Sequence, residues 1–242
     1  MDALIYTVMS GADRTLRAQQ IHANNLANAE TTGFRADIEL ASAQAVPGFG
    51  YDARHMAQLQ ASAVDNRAGI VTATGRSLDV ALKGDGYLAV EYAGGEAYTR
   101  GGNLNVDSQG ALTINGRAVL GEGGAITLPV FAQVSISDDG TISVLPQGET
   151  GALQEAGKLK LVRPTASELT KNEAGLVVSR SGQPLPVDDA VQVLGGHLER
   201  SNVSAVEEMI ATMTLTRSFE VQMKMFKSAD DMADAGNRLI RG

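Results

Sequence analysis

The places where this chain would have to do chemistry are short glycine-rich and acidic runs, and each fails the test for its reaction. Gly84-Asp85-Gly86 and Gly121-Glu122-Gly123-Gly124 offer glycines for a phosphate cradle. Neither carries the Lys-Ser/Thr pair of a P-loop, and neither sits in the strand–turn–helix setting of a dinucleotide fingerprint, so both read as turns. Asn103-Leu104-Asn105-Val106-Asp107 spaces its oxygens like a calcium loop. Ser108, however, stands where that loop needs glycine, and Ile114 where it needs a bidentate glutamate. His22, His55 and His197 have no second histidine or cysteine at metal-binding spacing. The acidic pairs Asp138-Asp139, Asp188-Asp189, Glu207-Glu208 and Asp230-Asp231 could in principle supply an acid and a base. Adjacent carboxylates are more commonly solvated charges on a turn or helix face. No catalytic residue, cofactor or metal is expected.

Composition narrows the remaining classes. A formal charge of -8 with no concentrated basic stretch argues against nucleic acid, whose phosphates need a positive surface. No run approaches the roughly 18–20 apolar residues of a membrane helix. The opening Met1-Asp2, with its first arginine at Arg14, does not read as a cleaved secretory leader. With no cysteine there are neither disulfides nor thiolate sites, which suits a chain that must stay unfolded in a reducing compartment and work in an oxidising one. Aromatics at 4% and 27 glycines favour a lightly packed, turn-rich β region over a dense enzyme core.

The elements that frame these runs are more telling. At the N-terminus Ile5, Met9, Ala12, Leu16, Ala23 and Leu26 recur at steps of three and four, with Gln19 a polar interruption. At the other end Met209, Met213, Thr216, Phe219, Met223, Phe226, Ala233 and Ile240 repeat that spacing. Each pattern predicts a helix with a narrow apolar stripe. The first starts near Asp2 and stops in the turn-forming segment Asn24–Gly33. The last is announced by Ser204-Ala205-Val206-Glu207, in which hydroxyl and carboxylate can satisfy free amides. Its methionines suit contacts with neighbours that are not identical. Helices of about 40 and 55 Å, isolated as a pair, would be marginal and are expected to be complete only when packed on other molecules.

Between them, alternating apolar residues from Leu78 to Val178 are punctuated by glycine turns at hairpin intervals, with Asp139-Gly140 a two-residue turn. The expected fold class is α+β: N- and C-terminal helices in a coiled-coil-like layer, and a central, mainly antiparallel β domain of sandwich or barrel type. The expected domains are 1–33 paired with 200–242, an extended connector over 34–76 that is interrupted by Pro47-Gly48-Phe49-Gly50 and has room for a hairpin, and a β domain over 77–199.

Three segments in order then resemble one family. Ala23-Asn24-Asn25-Leu26-Ala27-Asn28-Ala29-Glu30-Thr31-Thr32-Gly33-Phe34-Arg35 is similar to the N-terminal signature of bacterial flagellar rod and hook proteins. Gly84-Asp85-Gly86-Tyr87-Leu88-Ala89-Val90, with Tyr98-Thr99-Arg100-Gly101-Gly102-Asn103-Leu104 and Val119-Leu120-Gly121, resembles their β-domain motif, departing from it at Gly102 and Leu104. Leu198-Glu199-Arg200-Ser201-Asn202-Val203-Ser204-Ala205-Val206-Glu207-Glu208-Met209 resembles their C-terminal signature. The opening twelve residues and Phe219–Phe226 look most like the proximal-rod branch, with the distal rod or hook as the alternative.

The resemblance implies a structural subunit of the flagellar basal body, exported unfolded through the flagellar type III apparatus and polymerised as part of the periplasmic rod that transmits torque to the hook. Its partners would be further copies of itself and other rod proteins, engaged through the end helices. The motif residues it singles out are Asn24, Asn25, Leu26, Asn28, Thr31, Thr32, Gly33, Phe34, Ser201, Asn202, Val203, Glu207, Glu208 and Met209. A β-rich secreted enzyme or carbohydrate-binding protein is the competing class. It would need clustered aromatics or convergent polar groups.

Overall fold

The computed structural model describes residues 2–45, 55–148, 151–165, 168–172 and 176–241. The Pro47-Gly48-Phe49-Gly50 interruption of the expected connector lies outside the described residues. The chain divides into two compact units: residues up to Ala27, Asp37–Ala63 and from Ser204 onward form the first, and Asn28–Ala36 with Val64–Val203 the second.

The first unit contains helix α1, Asp2–Ala27, helix α2, Ala205–Arg241, and a two-stranded sheet of Asp37–Ala45 with His55–Val64. Ser204 starts α2: its carbonyl accepts the Glu208 N–H, and its hydroxyl lies 3.5 Å from the Glu207 N–H. Glu207 and Glu208 in the first turn complement the positive end of the helix dipole. The two helices run antiparallel, with Thr15 opposite Gln222, Gln19 opposite Thr216 and His22 opposite Glu208. The side of α1 that meets α2 is small and polar. Val8, Thr15, Ala18 and Asn25 are buried, Gly11 faces the Gln222 amide, and His22 Nδ1 hydrogen-bonds Glu208 Oε2.

The second unit is a set of small antiparallel sheets. The largest orders its strands Leu161–Val162, Tyr87–Tyr92, Gly95–Thr99, Val177–Ser179 and Leu169–Lys171. A meander of Phe131–Ile136, Thr141–Pro146 and Gln154–Lys158 lies elsewhere in the unit, as does a three-stranded piece formed by Asn105–Val106, Leu112–Ile114 and Arg117–Ala118. Two further pairs join distant parts of the sequence: Val80–Lys83 with Gln192–Gly195, and Val71–Ala73 with His197–Glu199. These sheets do not close into a barrel among the described residues, because the hydrogen-bonded ladders stay separate. Their apolar faces meet instead, around Leu88, Leu104, Leu112, Ile142, Leu159 and Val193.

Glycine turns do what the sequence predicts. Asp139-Gly140 connects two strands of the meander, with Gly140 at φ 83°. Strands Gln154–Lys158, Leu169–Lys171, Gln192–Gly195 and His197–Glu199 were not anticipated from alternation. Gln154–Lys158, for instance, is polar and half exposed at the meander's edge.

Candidate assembly surface and a buried ionic junction

Much of the helical stripe read from sequence is exposed, although Thr216 takes part in the α1–α2 contact by accepting a hydrogen bond from Gln19. Met9, Leu16, Ala23, Met209, Met213, Thr216, Met223 and Phe226 are exposed, while Ile5, Ala12, Leu26, Phe219 and Ala233 are half-buried. The side chain of Ile240 lies outside the described residues. Met213 is 59% exposed and Met209 47%. Tyr6, Val206, Ile210, Val221, Met225, Met232 and Leu239 extend the exposed apolar surface. Single exposed apolar side chains are ordinary, whereas this many along two helices of one unit are the kind of surface that marks a protein–protein contact.

Asn25 organises the same unit from within. Its side-chain oxygen accepts the Asp37 N–H at 2.9 Å, and its amide donates to the Asp37 carbonyl at 3.0 Å and to Glu208 Oε1 at 3.2 Å. A single buried side chain thereby ties the end of α1 to the strand that follows and to the first turn of α2.

In the second unit the organising group is Glu199, 1% exposed. Glu199 Oε1 accepts the Gly69 N–H at 2.9 Å and lies 2.9 Å from Arg35 Nη2. Glu199 Oε2 accepts Arg100 Nε at 2.7 Å, with Arg100 Nη2 at the same distance. Arg100 also donates to the Gly86 carbonyl at 2.6 Å and stands 5.8 Å from the Tyr87 ring centre. Burial, and after it the nearby Arg100 charge, pulls the Arg35 guanidinium below its ordinary value against the opposing effect of Glu199. A buried carboxylate so fully bonded is what allows two buried cations to stand side by side.

Backbone and amide bonds reinforce this junction. The Gly33 N–H donates to the Glu199 carbonyl and the Asn202 N–H to the Phe34 carbonyl. Asn202 Oδ1 accepts the Ala36 N–H, and its amide reaches the carbonyls of Asp65 and Arg67. The chain crosses between the units after Ala27, Ala36, Ala63 and Val203. Within the second unit, the segments adjoining those crossings are thus laced to one another. The Lys171 ammonium lies 4.2 Å from the Phe34 ring centre and donates to the Arg35 carbonyl.

Close backbone approach explains two glycines here. Gly33, at φ 68°, would place a Cβ 2.1 Å from the Gly101 nitrogen. At Gly102 a Cβ would meet the Val80 carbonyl oxygen at 1.7 Å, so no larger residue fits this backbone.

A family profile described as "Flagella basal body rod protein" matches residues 5–35. One described as "Flagellar hook protein FlgE/F/G D1 domain" matches 81–144, and one described as "Flagellar basal body rod FlgEFG protein C-terminal" matches 194–239. The flagellar basal-body rod protein FlgF of Escherichia coli strain K12 is 41% identical over 248 residues, covering 99% of each chain. The chain belongs to the flagellar basal-body rod protein family. The FlgF of Salmonella typhimurium is 40% identical over 99% of both chains, and the rod protein FlgG of Bacillus subtilis strain 168 is 29% identical over 94% of this chain and 95% of its own.

This rod-family chain is a structural subunit of the basal body and not an enzyme. Each matched segment contributes one member of the ionic triad: Arg35, Arg100 and Glu199. The sequence places all three inside the family-like motifs, with no role evident from the motifs alone. Other charges stand in those motifs too, Glu30, Asp85, Arg200, Glu207 and Glu208 among them, so no local signal separates the triad from surface charge. Among the motif residues it did single out, Asn25 and Asn202 make the bonds given above. Thr31 bonds back to Asn28 through both its N–H and its hydroxyl, and the Ser201 hydroxyl accepts the Val203 N–H. Asn24, Thr31, Glu207 and Met209 are exposed, while Leu26, Asn28, Thr32 and Glu208 are half-buried. No helix among the described residues is long and apolar enough to cross a membrane.

Proposed function

We propose that this rod subunit belongs to the proximal rod of the flagellum and polymerises with copies of itself and with other rod proteins by packing the exposed stripes of α1 and α2 against neighbouring helices. The helices would form a coiled-coil-like layer of a periplasmic shaft that carries torque to the hook, after delivery of the unfolded chain through the flagellar export apparatus. The observation that carries the reading is the division of residues on the helices. The larger apolar side chains Met9, Leu16, Met209, Met213, Met223 and Phe226 are exposed, while Val8, Ala18, Ala229 and the polar groups of Thr15, Gln19, Thr216 and Gln222 lie in the contact or are buried. The alignment with FlgF proteins over essentially the whole chain favours the proximal position.

Met213→Asp and Phe219→Asp test it. Met213 is exposed, so its replacement is expected to change the stability of the free chain by no more than about 0.5 kcal/mol. A buried carboxylate in the assembled layer would cost several kcal/mol and stop incorporation. Rod assembly and motility are expected to fail in both variants while the β unit stays folded. Motile cells with normal rods in both would overturn the assignment of these stripes.

A further inference from the structure

A cavity of about 330 Å³ opens beside the ionic junction, lined by Arg35, Tyr87, Arg100 and Arg163 together with Asn66 and Thr165, and with Asp85 and Pro164 on its wall. Its charges are unequal. Two buried guanidiniums share the single carboxylate of Glu199, which leaves one positive charge over at the floor. Asp65, the next carboxylate acting on Arg35, is engaged by Arg67 at 2.6 Å. Arg163 at the mouth lies 3.5 Å from Asp188 and donates to the Asp85 carbonyl. Arg35 Nε, fully buried, has no acceptor among the described residues. The same guanidinium pairs with Glu199 and donates to the Asn66 carbonyl at 3.2 Å, but a buried N–H donor left without an acceptor is costly and ordinarily satisfied in folded proteins.

We infer that this cavity is an oxyanion site, built to take a carboxylate or phosphate group between Arg163 at its mouth and the Arg35–Arg100 floor. Planar guanidiniums present paired N–H donors that match such oxygens. Tyr87, whose hydroxyl lies 3.5 Å from Asn66 Oδ1, adds a polar group to the wall, whereas the N–H and hydroxyl of Thr165 are taken up by Glu168. Asp85, exposed at the rim, sets a charge against entry and favours a singly charged or solvent-bridged ligand. The group could be a free oxyanion or an acidic side chain of a second copy of the chain.

The test uses the full chain free in solution, with inorganic phosphate as probe and sodium chloride at matched ionic strength as reference. Thermal unfolding of the β unit is expected to shift upward saturably, by roughly 3–6 °C at a tenfold excess over the dissociation constant. The Arg35 Nε–H proton resonance is expected to move in parallel. Arg163→Gln should abolish both responses, whereas Arg117→Gln, altering an arginine that lies over Tyr92, should leave them intact. Equal responses to phosphate and chloride, or an undiminished response in Arg163→Gln, would overturn the site. If phosphate and Arg163→Gln also weaken self-association, the natural group is a neighbour's carboxylate; if self-association is unmoved, it is a free oxyanion. Because the binding measurement needs no assembly, its failure is separable from failure of the proposed rod function.

Discussion

Replacing Glu199 by glutamine is the sharpest perturbation the β unit allows, because volume and shape are kept and only the charge and two acceptor positions change. The Glu199 carboxylate receives Arg35, both an Nε and an Nη of Arg100, and the Gly69 amide. A glutamine can keep one oxygen facing one arginine, but its NH2 must then face N–H donors of the other. Arg35 and Arg100 would remain buried, at 4% and 3% exposure, with no anion of their own. Removing one partner of a buried pair costs about 3–5 kcal/mol, most of it the penalty of the charge left behind. At a slope of roughly 2 kcal/mol per molar urea, the unfolding midpoint should fall by roughly 1.5–2.5 M. The matched control is Glu122→Gln, which removes a half-exposed carboxylate from Lys158 and should cost less than about 1 kcal/mol. Urea unfolding followed by tyrosine fluorescence reads both. Equal, small shifts in the two variants would show that the triad does not hold the unit together.

Further outcomes follow from the same geometry. Asn25→Ala removes two bonds to Asp37 and one to Glu208 and should lower the stability of the helical unit by about 2–3 kcal/mol, read by loss of helical circular dichroism on warming. Gly33→Ala combines a left-handed backbone with a Cβ 2.1 Å from another main chain, so it should cost more than about 2 kcal/mol in the same urea experiment used for Glu199. Burial pushes the Tyr98 phenol up to about 12. Its folded value lies above the unfolded one, so this contribution is whole below about pH 10 and is lost as pH rises through that folded value. Alkaline absorbance titration should show a late phenolate step that shrinks in Tyr98→Phe. Hydrogen exchange of the dilute chain should find the α1 and α2 amides opening well before those of Tyr87–Tyr92 and Gly95–Thr99, and equal protection in both units would contradict a marginal helix pair.

How much of this was legible in the sequence depends on the kind of signal. The two helices announce themselves because apolar residues at 3–4 spacing leave a pattern that no strand can produce, and their ends are marked by Asn28, Gly33 and Ser204. The glycine turns that separate the strands are equally plain, since Asn115, Gly116 and Gly140 sit at positive φ. The inner face of α1 was hidden. Val8, Gly11, Thr15, Ala18, His22 and Asn25 repeat with the same spacing as the outer stripe, but they are small or polar, so a search for hydrophobic periodicity passes over them. The strands Gln192–Gly195 and His197–Glu199 were hidden for another reason. Their partners Val80–Lys83 and Val71–Ala73 lie more than a hundred residues away, and nothing local encodes that pairing. The triad shares this property: Arg35, Arg100 and Glu199 each look like a surface charge until the fold brings them together.

The uneven distribution of apolar burial gives the last step. In the β unit, residues such as Leu88, Leu104, Leu112, Ile142 and Leu159 are fully enclosed, each worth about 1.5–3 kcal/mol, so that unit has its own core. Among the described residues of the helices, the buried apolar side chains are Val8, Ala18 and Ala229, and two of these are alanines. A pair of helices this long cannot offset its ordering entropy with such a contact, even with the polar bonds of Thr15, Gln19 and His22. Under the proposed assembly, the missing stabilisation would come from covering Met9, Leu16, Met209, Met213, Met223 and Phe226, and the subunit would gain most of its helical order when neighbours arrive. A self-sufficient β unit joined to an assembly-dependent helix pair suits a chain proposed to travel unfolded and become rigid only at its place in the rod.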